Sequence, residues 1–117
     1  MPQNFEIALR WANLAALQGF KKAILARPPI MEKLEPDTVL AAMTWVRQRL
    51  TKAAEEGDNV ALVMLSNSFA PDFGFADNKE AYYWASLAVA CGRTEAKRRR
   101  DALVKELKSA DFKEVQD

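Results

Sequence analysis

Histidine is absent from this chain, which removes imidazole triads, histidine-held metals and the commonest general base in one stroke. Cysteine occurs once, at Cys91. No disulfide can form within the chain, and the expectation for such a residue is a small buried hydrophobe. The four glycines make neither a phosphate-binding loop nor a dinucleotide fingerprint. Asp72-Phe73-Gly74 spells a kinase tripeptide, but without a Gly-rich loop or a catalytic loop it reads as a turn. Neither sign of charge dominates: 17 basic side chains face 16 acidic ones for a net +1, so no global field draws the chain to nucleic acid or to an anionic membrane. No apolar run approaches the roughly 20 residues that cross a bilayer. Residues Met1 to Glu6 lack the basic-then-apolar pattern of a leader. The compartment stays open, with the cytoplasm favoured unless the chain is a processed or truncated piece of an envelope protein. These absences indicate no catalytic residue, no cofactor and no metal ligand, and the expectation is a protein that is not an enzyme.

What is present is ordinary folding material: 117 residues, 50% hydrophobic and 28% charged, enough for one domain with a core of its own. The chain also repeats itself. When Trp11 is laid on Trp84, the same offset brings Ala8 onto Ala81, Ala12 onto Ala85, Leu14 onto Leu87 and Ala15 onto Ala88. Gly19 then meets Gly92, Ala23 meets Ala96, Arg27 meets Arg100 and Leu34 meets Leu107. Small and apolar residues at helical spacing followed by one glycine describe a helix, its stop and a second helix, made twice. In the second copy Asp77 or Asn78 caps the first turn, and Ala81, Trp84, Ala85, Leu87, Ala88 and Cys91 form the stripe. On this register Trp11 and Trp84 are both core residues. Between the copies, Pro36 opens a long helix with Val39, Met43, Val46, Leu50 and Ala53 on its buried side. Gly57 ends that helix, and Asp58 caps the next, which carries Ala61, Met64, Leu65 and Phe69.

Gly57-Asp58, Met64-Leu65, Gly74, Asp77, Glu80-Ala81 and Trp84, in that order, resemble the Sel-one-like repeat, a relative of the tetratricopeptide repeat. Ser86-Leu87-Ala88 through Gly92, Glu95-Ala96 and Arg100-Asp101-Ala102-Leu103 are similar to the closing segment of such arrays. The likeness covers residues 5–55 as an array-ending element with a long helix, and 57–116 as one full repeat with closing helices. It implies a single helical-repeat domain over 1–117: an all-α, short α/α superhelix, or solenoid, of stacked antiparallel helix pairs. It also implies an adaptor or scaffold, in bacteria often near the envelope, and carries over no catalytic residue. Two features depart from the pattern. The loop within each pair has one glycine rather than two, and Pro28-Pro29 stands where the second copy has Asp101-Ala102. Proline inside a helix removes hydrogen bonds and clashes with the preceding turn, so a break is expected near residues 27–30 while residues 94–107 run straight.

Candidate contact residues are few. Trp45 lies about 100° around the helix from Val46. Tyr83 replaces Arg10 of the first copy, so its position tolerates a charge and is read as exposed. Exposed Trp and Tyr are common interface anchors. Lys97, Arg98 and Arg99 form the strongest basic run with Arg100. The first three are placed away from the Leu103/Leu107 stripe, and Arg100, matched to Arg27, at a helix seam. The run fits an acidic protein ahead of nucleic acid, with a solvated face as the plain alternative. Ile7, Leu14 and Leu17 suggest an open N-terminal helix face that pairs with an upstream repeat or, through residues 5–18, with a second copy, whereas Lys105, Lys108, Asp111, Lys113, Glu114 and Asp117 give the other end a polar close. The function these features favour is a non-catalytic protein-binding adaptor. The alternatives are a small inhibitor or immunity-type protein for one partner, or a nucleic-acid-binding module using residues 97–100.

Overall fold

The computed structural model describes the backbone of residues 2–73 and 75–116, and the side chains of residues 5–71, 73 and 75–109. Gly74 of the repeat motif, and the side chains of Asp111, Lys113, Glu114 and Asp117 that were to close the C-terminal end, lie outside that set. The described residues are all-helical, with no strand among them: α1 (Pro2–Leu17), α2 (Lys21–Glu32), α3 (Pro36–Glu55), α4 (Asn59–Ser68), α5 (Asn78–Ala90) and α6 (Lys97–Gln116). Short 3-10 turns at Pro71–Phe73 and Thr94–Ala96 precede α5 and α6. The chain divides into two units, Met1–Lys52 and Ala53–Asp117, the boundary falling in the last turns of α3.

The helix ends follow from local chemistry. Asp58 accepts a hydrogen bond from the Val60 amide, and Asp77 accepts from the amides of Lys79 and Glu80, satisfying donors that the first helical turn leaves open. Pro36 starts α3, where its missing N–H costs nothing. Gly19, Gly57 and Gly92 follow α1, α3 and α5 at φ of 91°, 101° and 95°, the left-handed conformation that a Cβ disfavours.

In the first unit α1 packs on α2. α1 buries Leu9, Asn13, Ala16 and Leu17, α3 buries Ala42, Met43, Val46 and Leu50, and α2 buries Arg27 alone. Two expectations fail here. Trp11 is 51% exposed rather than core, because the buried face of α1 sits one position, about 100°, beyond the repeat register. The helix also runs unbroken through Pro28 and Pro29. Both prolines are exposed, and the residues four positions earlier, whose carbonyls would have taken their N–H groups, are Ile24 and Leu25, 47% and 75% exposed. Water can solvate those carbonyls, and α2 ends within a turn, where Lys33 and Leu34 donate to the carbonyls of Ile30 and Met31.

In the second unit α5 packs on both α4 and α6. Leu62, Ala85, Ala88 and Ala96 make a core cluster with Ala54, Val63, Trp84, Leu87 and Val89 against it. Alanines on the α5 face let the neighbouring backbones approach closely around a few larger side chains. Cys91, expected to be buried, is exposed. It follows the last residue of α5 and precedes the Gly92 turn, and its carbonyl accepts from Asn59 Nδ2 at 3.3 Å.

Candidate functional site

Trp45 belongs to the first unit, whereas Tyr83 and the basic run belong to the second. In the basic run Lys97 and Arg98 are exposed, but Arg99 is half-buried. Arg99 donates from Nε to Ser66 Oγ and from Nη2 to the Ser66 carbonyl, both at 3.2 Å, while Ser66 Oγ donates to the Ala81 carbonyl at 2.7 Å. One arginine thus ties α6 to α4, and through a buried serine to α5. Its placement on a solvated face is corrected. Burial holds the Arg99 guanidinium below its ordinary pKa, and Glu106 acts in the opposite sense. Arg100, expected at the seam, instead pairs with the exposed Asp101 at 3.2 Å. Glu95, Arg98, Arg99 and Glu106 share a cleft of about 350 Å³. The run is therefore interleaved with carboxylates and presents no continuous cationic stripe.

Tyr83 is exposed, as its place in the repeat indicated, and its ring meets Trp84 edge-on with centroids 5.0 Å apart.

The richest constellation surrounds Trp45. The half-buried Trp45 ring meets the exposed Trp11 ring in a T-shaped contact, centroids 5.4 Å apart at 67°. Arg10 lies over Trp45 at 5.4 Å, and Arg49 lies 5.5 Å from the Trp11 centroid and 5.3 Å from that of Trp45. Each such cation–aromatic contact is worth about 0.5–1 kcal/mol at an exposed site. Arg10 Nη2 also pairs with Glu6 Oε1 at 3.1 Å, while its Nε is shielded from solvent and donates to no acceptor among the described residues. Beside the rings a cleft of about 430 Å³ is lined by Glu6, Arg10, Asp37, Leu40, Trp45 and Gln48 among others. The sequence reading found Trp45 but missed Arg10, Trp11 and Arg49. A signal was there: Glu6 and Arg10, then Trp45 and Arg49, stand four apart on their helices, the spacing at which side chains meet.

Of the apolar residues expected to be open on α1, Ile7 is exposed, Leu14 is half-buried and Leu17 is buried. Among the described residues, the large apolar side chains that this helix exposes are Ile7 and Trp11. No family model, curated protein or solved structure matches the chain.

Proposed function

We propose that this chain is a non-catalytic protein-binding adaptor, a short α-solenoid in the manner of the Sel-one-like repeats, whose contact surface is the Trp11–Trp45–Arg49 cluster. The observation that carries the reading is Trp11, a large aromatic left half in solvent while its ring meets Trp45 edge-on and the Arg49 guanidinium lies near both rings. Trp and Arg are the side chains most enriched where binding energy concentrates. A pre-positioned pair loses less rotamer freedom on binding than a flexible one. The packing of α1 on α2, α4 on α5 and α5 on α6 supports the solenoid reading, since each contact joins neighbours in the chain. The carboxylates interleaved with residues 97–100 favour a protein over a nucleic-acid partner. The test is affinity capture with the parent chain beside Trp11→Ala and Trp45→Ala. Loss of the same captured protein from both variants, with melting temperatures near the parent's, is expected. Capture unaffected by either substitution removes this surface as the contact.

A further inference from the structure

We infer that a second copy of this chain docks on the outer face of α2, the two α2 helices lying antiparallel about a two-fold axis. α2 is an inside-out helix. The residue it buries is Arg27, whose Nε donates to Asn13 Oδ1. Its aliphatic side chains Ile24 and Leu25 are 47% and 75% exposed, and Phe20 at its N-cap position is 61% exposed. Pro28 and Pro29 are exposed beside them. A soluble helix ordinarily places such residues the other way round, so this face is one that an occupant covers.

The charges on the face identify the occupant. Lys21, Leu25, Pro28 and Glu32 are all exposed and stand four, three and four positions apart. At roughly 100° per residue they fall within about 60° of one another, with Arg27 about 120° away from Lys21. Ile24 and Pro29 flank this stripe on its two sides. Lys21 and Glu32 mark its ends, about 16 Å apart along the axis. Among the described residues neither of them pairs with another charge. The stripe is therefore a free cation, two apolar side chains and a free anion, in that order.

Such a stripe complements itself when reversed. In a two-fold pair every contact occurs twice with the roles exchanged, so one register sets Lys21 against the second copy's Glu32 at both ends. The same register sets Leu25 against the second copy's Pro28, and Ile24 against its Pro29. A shift of one turn would set Leu25 on Glu32, or Pro28 on Lys21, placing a charge on apolar surface. A parallel pair would oppose like charges. Other occupants match one end only: the phosphates of an anionic bilayer are drawn to Lys21 and repelled at Glu32, and a segment of uniform charge meets a like charge whichever way it lies. The pairing is a weak one. α2 has 12 residues, and packing strips water from the Ile24 and Leu25 carbonyls, which Pro28 and Pro29 give no N–H, so half-association is expected at about 100 µM chain.

Sedimentation equilibrium of the full chain over a range of concentrations reads the association. Leu25→Glu should weaken it at least about tenfold by setting a charge in the apolar middle. Lys21→Glu and Glu32→Lys should each weaken it by about tenfold, since either one opposes like charges twice. The double variant Lys21→Glu/Glu32→Lys should recover the parent's association, which no loss of folding in a single variant can imitate. Added salt should weaken the parent and the double variant but not the singles. Ile7→Glu on α1 should leave association unchanged. A parent that stays monomeric at about 1 mM, a double variant no better than the singles, or association lost with Ile7→Glu and kept with Leu25→Glu overturns the inference. So does binding of a monomeric parent to phosphatidylserine vesicles that Leu25→Glu removes. Neither Trp11 nor Trp45 belongs to the stripe, so the capture experiment with their alanine variants judges the adaptor reading separately.

Discussion

α1 and α5 are built from matching sequence and use it differently. Ala81, Ala85 and Ala88 are the buried face of α5, and their counterparts Ala8, Ala12 and Ala15 are exposed or half-buried. α1 buries Leu9, Asn13 and Ala16 instead, each one residue further along. The following helices are offset in the same sense: Arg27 is the arginine inside the first unit, whereas in the second it is Arg99, one place before the residue that aligns with Arg27. In the first unit Arg27 Nε donates to Asn13 Oδ1 at 2.6 Å, and in the second Arg99 donates to Ser66. A repeated pattern of small residues thus marks where helices and turns recur, while the face that is buried is chosen by what packs against it. Alanines on both sides of a helix make two neighbouring faces nearly equivalent, and an added polar pair such as Asn13–Arg27 can decide between them.

The largest expected effect tests that offset directly. Leu9→Ala should destabilise by about 2–5 kcal/mol, the range for a buried leucine, whereas Trp11→Ala should cost about 1 kcal/mol because only cation–aromatic and ring-edge contacts are lost. Denaturant melts of both variants decide; the reverse order would restore the repeat register. Next comes the basic run. Arg99→Met should cost about 1–3 kcal/mol by leaving the buried Ser66 carbonyl without this donor, while Lys97→Met and Arg98→Met stay within about 0.5 kcal/mol. Equal effects across the three would return Arg99 to the solvated face. In the other direction, Pro28→Ala or Pro29→Ala should stabilise the first unit by about 1 kcal/mol. The regained helical hydrogen bond and higher propensity outweigh the greater freedom of the unfolded chain; Asp101→Ala or Ala102→Gly in the second copy should bring no such gain.

The smallest effect concerns Glu95. Its carboxyl sits below the ordinary carboxylate pKa, first through a backbone hydrogen bond and then through Arg93. A depressed folded-state value means that the stabilising contribution is present above the unfolded pKa and is lost as pH falls through the folded one. Its side chain is exposed, so the readout is an NMR titration: Arg93→Ala should move the Glu95 midpoint upward, toward the ordinary value.

The ends of helices were the most legible part of the sequence. Asp58, Asp77, Pro36 and the glycines at 19, 57 and 92 act through their own backbone neighbours, so a single chain suffices to read them. The α3 stripe was legible too, because Met43, Val46 and Leu50 are large and their opposite face is polar. α1 was not, since leucine and alanine occur on several of its sides. Pro28-Pro29 misled because the cost of a missing N–H depends on whether the orphaned carbonyl meets water, a fact of exposure rather than of residue type. Trp45 was found as an aromatic out of register with a stripe, and Tyr83 as the residue standing where the first copy has Arg10. The cluster that gives Trp45 its chemistry joins α1 to α3, and no local spacing shows which helices meet.

The ring contact between Trp11 and Trp45 also has an optical consequence. Two indoles whose centroids are 5.4 Å apart and whose planes cross at 67° are close enough for their transition dipoles to couple, so an excitation is shared between them and splits into bands of opposite rotational sign. Trp84 has a tyrosine against it instead, with a different transition energy and weaker sharing. The first unit therefore carries its own circular-dichroism signature, separate from the amide bands common to every helix, and heating extinguishes it at the temperature where Trp11 leaves Trp45.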